Sequence, residues 1–179
     1  DNITLTRAVT LGGNVVLDSG ANAGNILFSS TVATGGNNLT LDAGDTGNIT
    51  VGNLTGGGNL VVTDGAVQAY AVLTVASLTI SDATTSVTFG GAITSAGAVD
   101  IDSGGTIVLN QAIANASTVN IDSAGATTVA AAGDITATDV VAFGAAKTGT
   151  LTTSGNITTS NDNITLTRAV TLGGNVVLD

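Results

Sequence analysis

The residues here that could do chemistry are aspartates placed at a recurring point of a repeated motif. Asp18, Asp42, Asp102 and Asp122 each follow the second apolar residue of an x-φ-x-φ unit, and Asp64 and Asp82 fall one place later. Like charges stacked about 5 Å apart repel by about 1 kcal/mol even in water. A ladder of such carboxylates would therefore favour a hard cation, and calcium is the one that carboxylate and carbonyl oxygens suit. The competing reading is that each Asp closes an Asx-turn on its own backbone in Asp-Ser-Gly or Asp-Ala-Gly. Thr63, Ser81 and Phe143 interrupt the ladder, and no GGxGxD calcium-roll pattern is present. The expectation is thus no resident metal or cofactor, with Asp18, Asp42, Asp102 and Asp122 as the weak calcium candidates.

Asp100 and Asp102 share one strand face at i, i+2, the spacing of a paired-carboxylate site. No Lys or Arg lies near them in the sequence, so a polysaccharide-cleaving site is not expected. Composition points the same way. The chain has no His, Cys, Met, Pro, Trp or Glu; its thirteen acids are all Asp, and Arg7, Lys147 and Arg168 are its cations. Imidazole base, thiol nucleophile, zinc thiolates and disulfides are all missing. The chain is expected not to be an enzyme. A net charge of −10 with three cations disfavours nucleic acid and anionic lipid as partners. The longest nearly apolar stretch, Ala69 to Ile80, is too short and too polar to span a bilayer, so membrane insertion is not expected.

The elements that must position these residues repeat on two scales. DNITLTRAVTLGGNVVLD at 1–18 recurs letter for letter at 162–179, so 1–161 reads as one complete repeat and 162–179 as the start of the next. The chain is expected to be a window from a longer tandem array. Within the long period a shorter unit returns: NVVLDSG (14–20), NLTLDAG (38–44), NLVVTDG (59–65), SLTISDA (77–83), AVDIDSG (98–104), TVNIDSA (118–124), DVVAFGA (139–145) and NITTSN (156–161). Eight units of about twenty residues then fill 161, although NITL at 163 competes with Asn156 for the eighth place.

Each unit has room for three short strands, as in SVTFGG, AITSAG and AVDIDSG. The alternation is period two, with Gly, Asn, Asp and Ser between runs. Pairs of matched size (Val15/Leu17, Leu39/Leu41, Leu60/Val62, Leu78/Ile80, Val99/Ile101, Val119/Ile121, Val140/Ala142) are expected to point inward, each above the last. Asp64-Gly65 is the single Asp-Gly and there is no Asn-Gly, so tight hairpins are disfavoured. These features predict an all-β chain forming a parallel β-helix solenoid, about eight coils per 161-residue period. Asn14, Asn25, Asn38, Asn48 and Asn59 open strands and are expected to form amide ladders at a corner.

GGNNLTLDAGDTGNITVG (35–52) and GGGNLVVTDG (56–65) resemble the degenerate repeats of filamentous-haemagglutinin-like exoproteins, and more broadly giant tandem-repeat surface proteins of bacteria. The resemblance implies a right-handed β-helix, an extracellular or cell-surface location, and a role in adhesion, aggregation or filament and sheath formation. It brings no catalytic residues. On this reading the chain is the structural shaft of a filament, sheath or giant adhesin, and its partner is another copy of itself, continuing end to end. The alternative is a repetitive binding module for polysaccharide, ice or calcium.

Overall fold

The computed structural model describes residues 1–21, 24–144 and 147–179. Ala145, the last residue of DVVAFGA, lies outside the described residues. Short runs of Val, Ile, Leu and Thr broken by Gly, Asn and Asp are too brief for helices and too β-branched to prefer them. The described residues accordingly form twenty-five strands and no helix. They stack as three parallel sheets of nine, eight and eight strands, here A, B and C. Successive strands visit A, B and C in turn, so three strands complete one coil, and about eight coils stack along the axis. The parallel β-solenoid expected from the sequence is therefore the fold.

Register is maintained by the inward residues. In sheet B, Val9, Val32, Leu54, Leu73, Ile93, Ile113, Ile135 and Ile157 are successive partners. In sheet C, Leu39, Leu60, Leu78, Val99 and Val119 stack likewise, and all five are buried. A slip of one residue would turn each such column to solvent, which is why the pairing is so regular. Sheet A is mixed: Ile3, Ile26 and Ile49 are followed by Gln68, Val87, Ile107, Thr127 and Leu151. Buried Gln68 is satisfied: its Nε2 donates to the carbonyls of Gly65 (3.2 Å) and Asp82 (2.9 Å), and its Oε1 accepts from the Tyr70 hydroxyl at 2.7 Å. Tyr70 stacks on Phe89 with ring centroids 5.1 Å apart.

Two readings of the shorter unit need correction. The inward pair of the seventh unit is Val141/Phe143, both fully buried, and not Val140/Ala142. Ala142 faces outward between them. A Phe side chain is worth more buried than an Ala, so the register follows the larger residue. The second concerns the eighth place. NITTS contributes the strand Ile157–Thr159 to sheet B, and the sheet C position above Val141–Phe143 is taken by Ile164–Leu166.

Candidate functional site

Two regions carry the chain's unusual features: the corner between sheets C and A, and the end surfaces of the stack. The aspartates lie at the corner because they stand at or next to the end of each C strand, just past its second inward residue, where the chain must turn. Asp18 accepts the Gly20 N–H at 2.7 Å, and Asp42 accepts the Gly44 N–H at 3.0 Å. Gly44 has φ +66°, the left-handed setting that completes such a turn. The Asx-turn reading holds for both.

The strand register places Asp18 beside Asp42, and Asp42 beside Asp64 across a bulge. Thr63 fills the gap in the ladder by donating its hydroxyl to Asp42 Oδ2 at 2.8 Å. Asp18, Asp42, Asp45 and Asp64 line one open cleft with Ala21 and Gly44. Burial raises the Asp64 carboxyl above its ordinary value, and the nearby Asp45 carboxylate raises it further. Asp64 Oδ1 is buried without a donor. Among the described residues, no group of three or more carboxylates is disposed to hold one metal ion.

Higher on the same corner the pattern changes. Asp102 and Asp122 are register partners, as are Asp100 and Asn120, whose side-chain amide donates to Asp100 at 2.9 Å. The sequence places no cation near these acids, but the fold does. Lys147 forms an ion pair with Asp102, and Arg168 with Asp122 at 3.3 Å. In both pairs the cation sits at a corner two coils beyond its acid, a separation that only the stacking reveals. Two of the four calcium candidates are thus internally neutralised, whereas Asp18 and Asp42 have no cationic side chain as partner among the described residues.

Arg168 is the residue that sequence reading missed. Its side chain is fully buried. Nη1 donates to Ser123 Oγ (2.8 Å) and Thr127 Oγ1 (3.2 Å), and Nη2 to Asp122 Oδ1 and the Ile121 carbonyl (3.5 Å). Burial pulls its guanidinium below its ordinary value, and Asp122 opposes that shift. Gly144, at φ +82°, leaves the room: a Cβ there would collide with Arg168 Nε. One signal existed in the sequence, since an Arg is rare in this chain and follows an apolar strand in both copies.

Asparagines make the ladders expected of them, though in another form. Asn2 Oδ1 accepts the Asn25 N–H (2.9 Å), Asn25 Oδ1 the Asn48 N–H (2.8 Å), and Asn48 Oδ1 the Val67 N–H (3.2 Å). Asn14, Asn38 and Asn59 repeat this in sheet C, at 2.9 and 3.2 Å. The side chains of Asn2, Asn14, Asn25, Asn38 and Asn48 thus each cap a backbone donor one coil above, so the ladder is mostly amide to backbone. Asn25 also reaches Asn2 through its side-chain nitrogen, at 3.3 Å.

At the end surfaces the inner columns are open. Val170, Leu172 and Leu178 are 38–53% exposed although they continue the inward rows. Their backbone is already paired: Val170–Leu172 lies on Leu151–Thr153, and the Val177 carbonyl accepts the Ile157 N–H at 2.9 Å. Paired on that side, the segments present an open strand edge on the other among the described residues, backed by apolar side chains, which suits one more coil of the same kind. No family model, curated protein or solved structure matches the chain. No helix among the described residues is long and apolar enough to cross a membrane.

Proposed function

We propose that this chain is part of the structural shaft of an extracellular or cell-surface filament, sheath or giant adhesin of bacterial type, built by stacking further copies of its own coil. One observation carries the reading. The second copy of the 18-residue sequence is seated on the stack by strand pairing, with Ile164–Leu166 on Val141–Phe143 and Val170–Leu172 on Leu151–Thr153. One period therefore flows into the next with no cap between them.

The mechanism is mechanical. Each coil alone buries little; it is held by its neighbours above and below, so stability grows with the number of stacked coils. Axial backbone hydrogen bonds make the rod stiff, and its acidic surface keeps neighbouring rods apart. No accessible pair of acid and base is needed, and the best-partnered cation, Arg168, is sealed from solvent.

A protein carrying four or more 161-residue periods tests this. Electron micrographs are expected to show unbranched rods of constant width that lengthen by about 37 Å per period, at about 4.8 Å per coil. Compact particles that do not lengthen would overturn the shaft. The alternative, a binding module, draws on the four-carboxylate cleft at Asp18, Asp42, Asp45 and Asp64. It would show as a rise in melting temperature on adding calcium that Asp42→Asn abolishes.

A further inference from the structure

The two copies of the 18-residue sequence do not sit on the same faces. Ile3–Leu5 lies in sheet A, Val9–Thr10 in B and Val15–Asp18 in C. Their copies are displaced by one face throughout. Ile164–Leu166 lies in C, Val170–Leu172 in A, and Leu178, the copy of Leu17, bridges Ile157 of sheet B. The cause is a count. Among the described residues of 1–161 there are twenty-three strands, and three make a coil, so one period is seven and two-thirds coils.

The displaced setting is supported by contacts that only it provides. At the C-to-A corner Arg168 drops into the buried site formed by Asp122, Ser123 and Thr127. Arg7, the same residue of the first copy, turns the A-to-B corner and is exposed. A buried ion pair adds little to stability but is a well-attested means of fixing register, because an unpaired buried Asp122 would be costly. Apolar pairing agrees, with Val141 under Ile164, Phe143 under Leu166 and Leu151 under Val170. Pairings inside the first period (Ile3 to Ile26, Val9 to Val32, Val15 to Leu39) can be kept intact by a period rotated as one body.

We propose that successive 161-residue periods are related by one-third of a turn, so that an array of this chain is a threefold screw rather than a one-sided ribbon. The proposal rests on the shaft reading for its setting. Each period advances about 37 Å, and the same face returns after three periods, 23 coils or about 110 Å. The surface that recognises a second copy is then the end of the rod in one setting only, with Arg7 of the incoming copy as its key. Every outward feature, the carboxylate cleft included, is displayed on all three sides in turn. A whole number of coils would instead line up all copies on one side.

Cysteine pairs in the full chain decide the setting, since it has no cysteine of its own. A142C/T165C and T152C/T171C join outward register partners across the junction, and T50C/A69C joins partners within the first period as a yield standard. An eight-coil period would instead put Thr158 over the 141–142 segment, to be captured by A142C/T158C. With a methylene-bridged bis-thiosulfonate, the first two pairs are expected to close at the yield of the standard, and A142C/T158C at less than a tenth of it. Closure of A142C/T158C in place of A142C/T165C, or of no junction pair while the standard closes, overturns the one-third turn. The cross-links report the setting whether or not longer arrays form rods. Closed junction pairs with compact multi-period particles would sink the shaft and leave the rotation standing.

Discussion

Residues 1–18 and 162–179 are one sequence in two environments. In the first copy Arg7 is exposed and makes no ion pair among the described residues; in the second Arg168 is sealed against Asp122. Asn2 caps the Asn25 N–H in the coil above, whereas the Asn163 side-chain amide makes no hydrogen bond among the described residues. The C-to-A corner shows a matching gradient: among the described residues Asp18, Asp42 and Asp64 at its foot lack cations, and Asp102 and Asp122 at its head have them. What the difference teaches is that a residue's role in a solenoid is set by the coils beneath and above it. Sequence identity alone does not transfer that role.

The sharpest way to break this comparison is to remove each arginine in turn. Arg168→Ala leaves Asp122 buried without its guanidinium, a loss of about 3–5 kcal/mol for a buried pair. Arg7→Ala removes an exposed side chain and is expected to stay within about 0.5 kcal/mol. Because the ion pair holds the upper coils, the Arg168 loss should appear as an early unfolding step in urea and as faster amide exchange from 164 onward. Equal losses for the two variants would mean the two environments are alike.

Gly144→Ala attacks the same site from the other side. It forces a side chain into φ +82° and into the space of the guanidinium. The backbone strain alone is worth about 1–3 kcal/mol. Added to Arg168→Ala, it should cost less than it does alone, since the collision is gone and the strain remains. Double-mutant stabilities from urea melts check this.

Asn2→Ala against Asn163→Ala is a gentler comparison. Asn2 Oδ1 satisfies a backbone donor and a side-chain donor of Asn25, so about 0.5–1.5 kcal/mol is expected from the first variant. The second should change the urea midpoint little.

Much of the fold was legible because it rests on local rules. Alternation such as NLTL and NVVL, closed by Asp or Gly, gives strand and turn, and matched columns such as Leu39, Leu60 and Leu78 give parallel stacking. The eighth unit was harder to read. NITTS and NITL satisfy the same pattern, and only the coils beneath decide that NITTS goes to sheet B and NITL to sheet C. Val140/Ala142 against Val141/Phe143 failed for the same reason, since both alternations are available in DVVAF and packing chooses. In the candidate site the Asx-turns of Asp18 and Asp42 follow from neighbouring residues and could be foreseen. The ion pairs of Asp102 and Asp122 join residues two coils apart, a distance no local pattern encodes.

The smallest expected effect probes the foot of the acidic corner. The Asp64 carboxyl is raised above its ordinary value of 3.8, first by burial and then by Asp45. A raised value in the folded chain means that the protonated form is favoured there. The stability this brings is fully present below pH 3.8 and is lost as pH rises through the higher folded value. Asp64 Oδ1 is buried with no donor. Asp64→Asn removes the charge and supplies a donor toward Asp45, so the variant should melt about 2 °C above the parent at pH 7, a change of under about 1 kcal/mol. At pH 3 the two should melt together. The mirror experiment, Asp102→Asn beside Lys147, should have the opposite sign at pH 7, because there the charge has a partner to lose. If both substitutions stabilise, the head and foot of the corner are electrostatically the same, and the gradient between them has no energetic content.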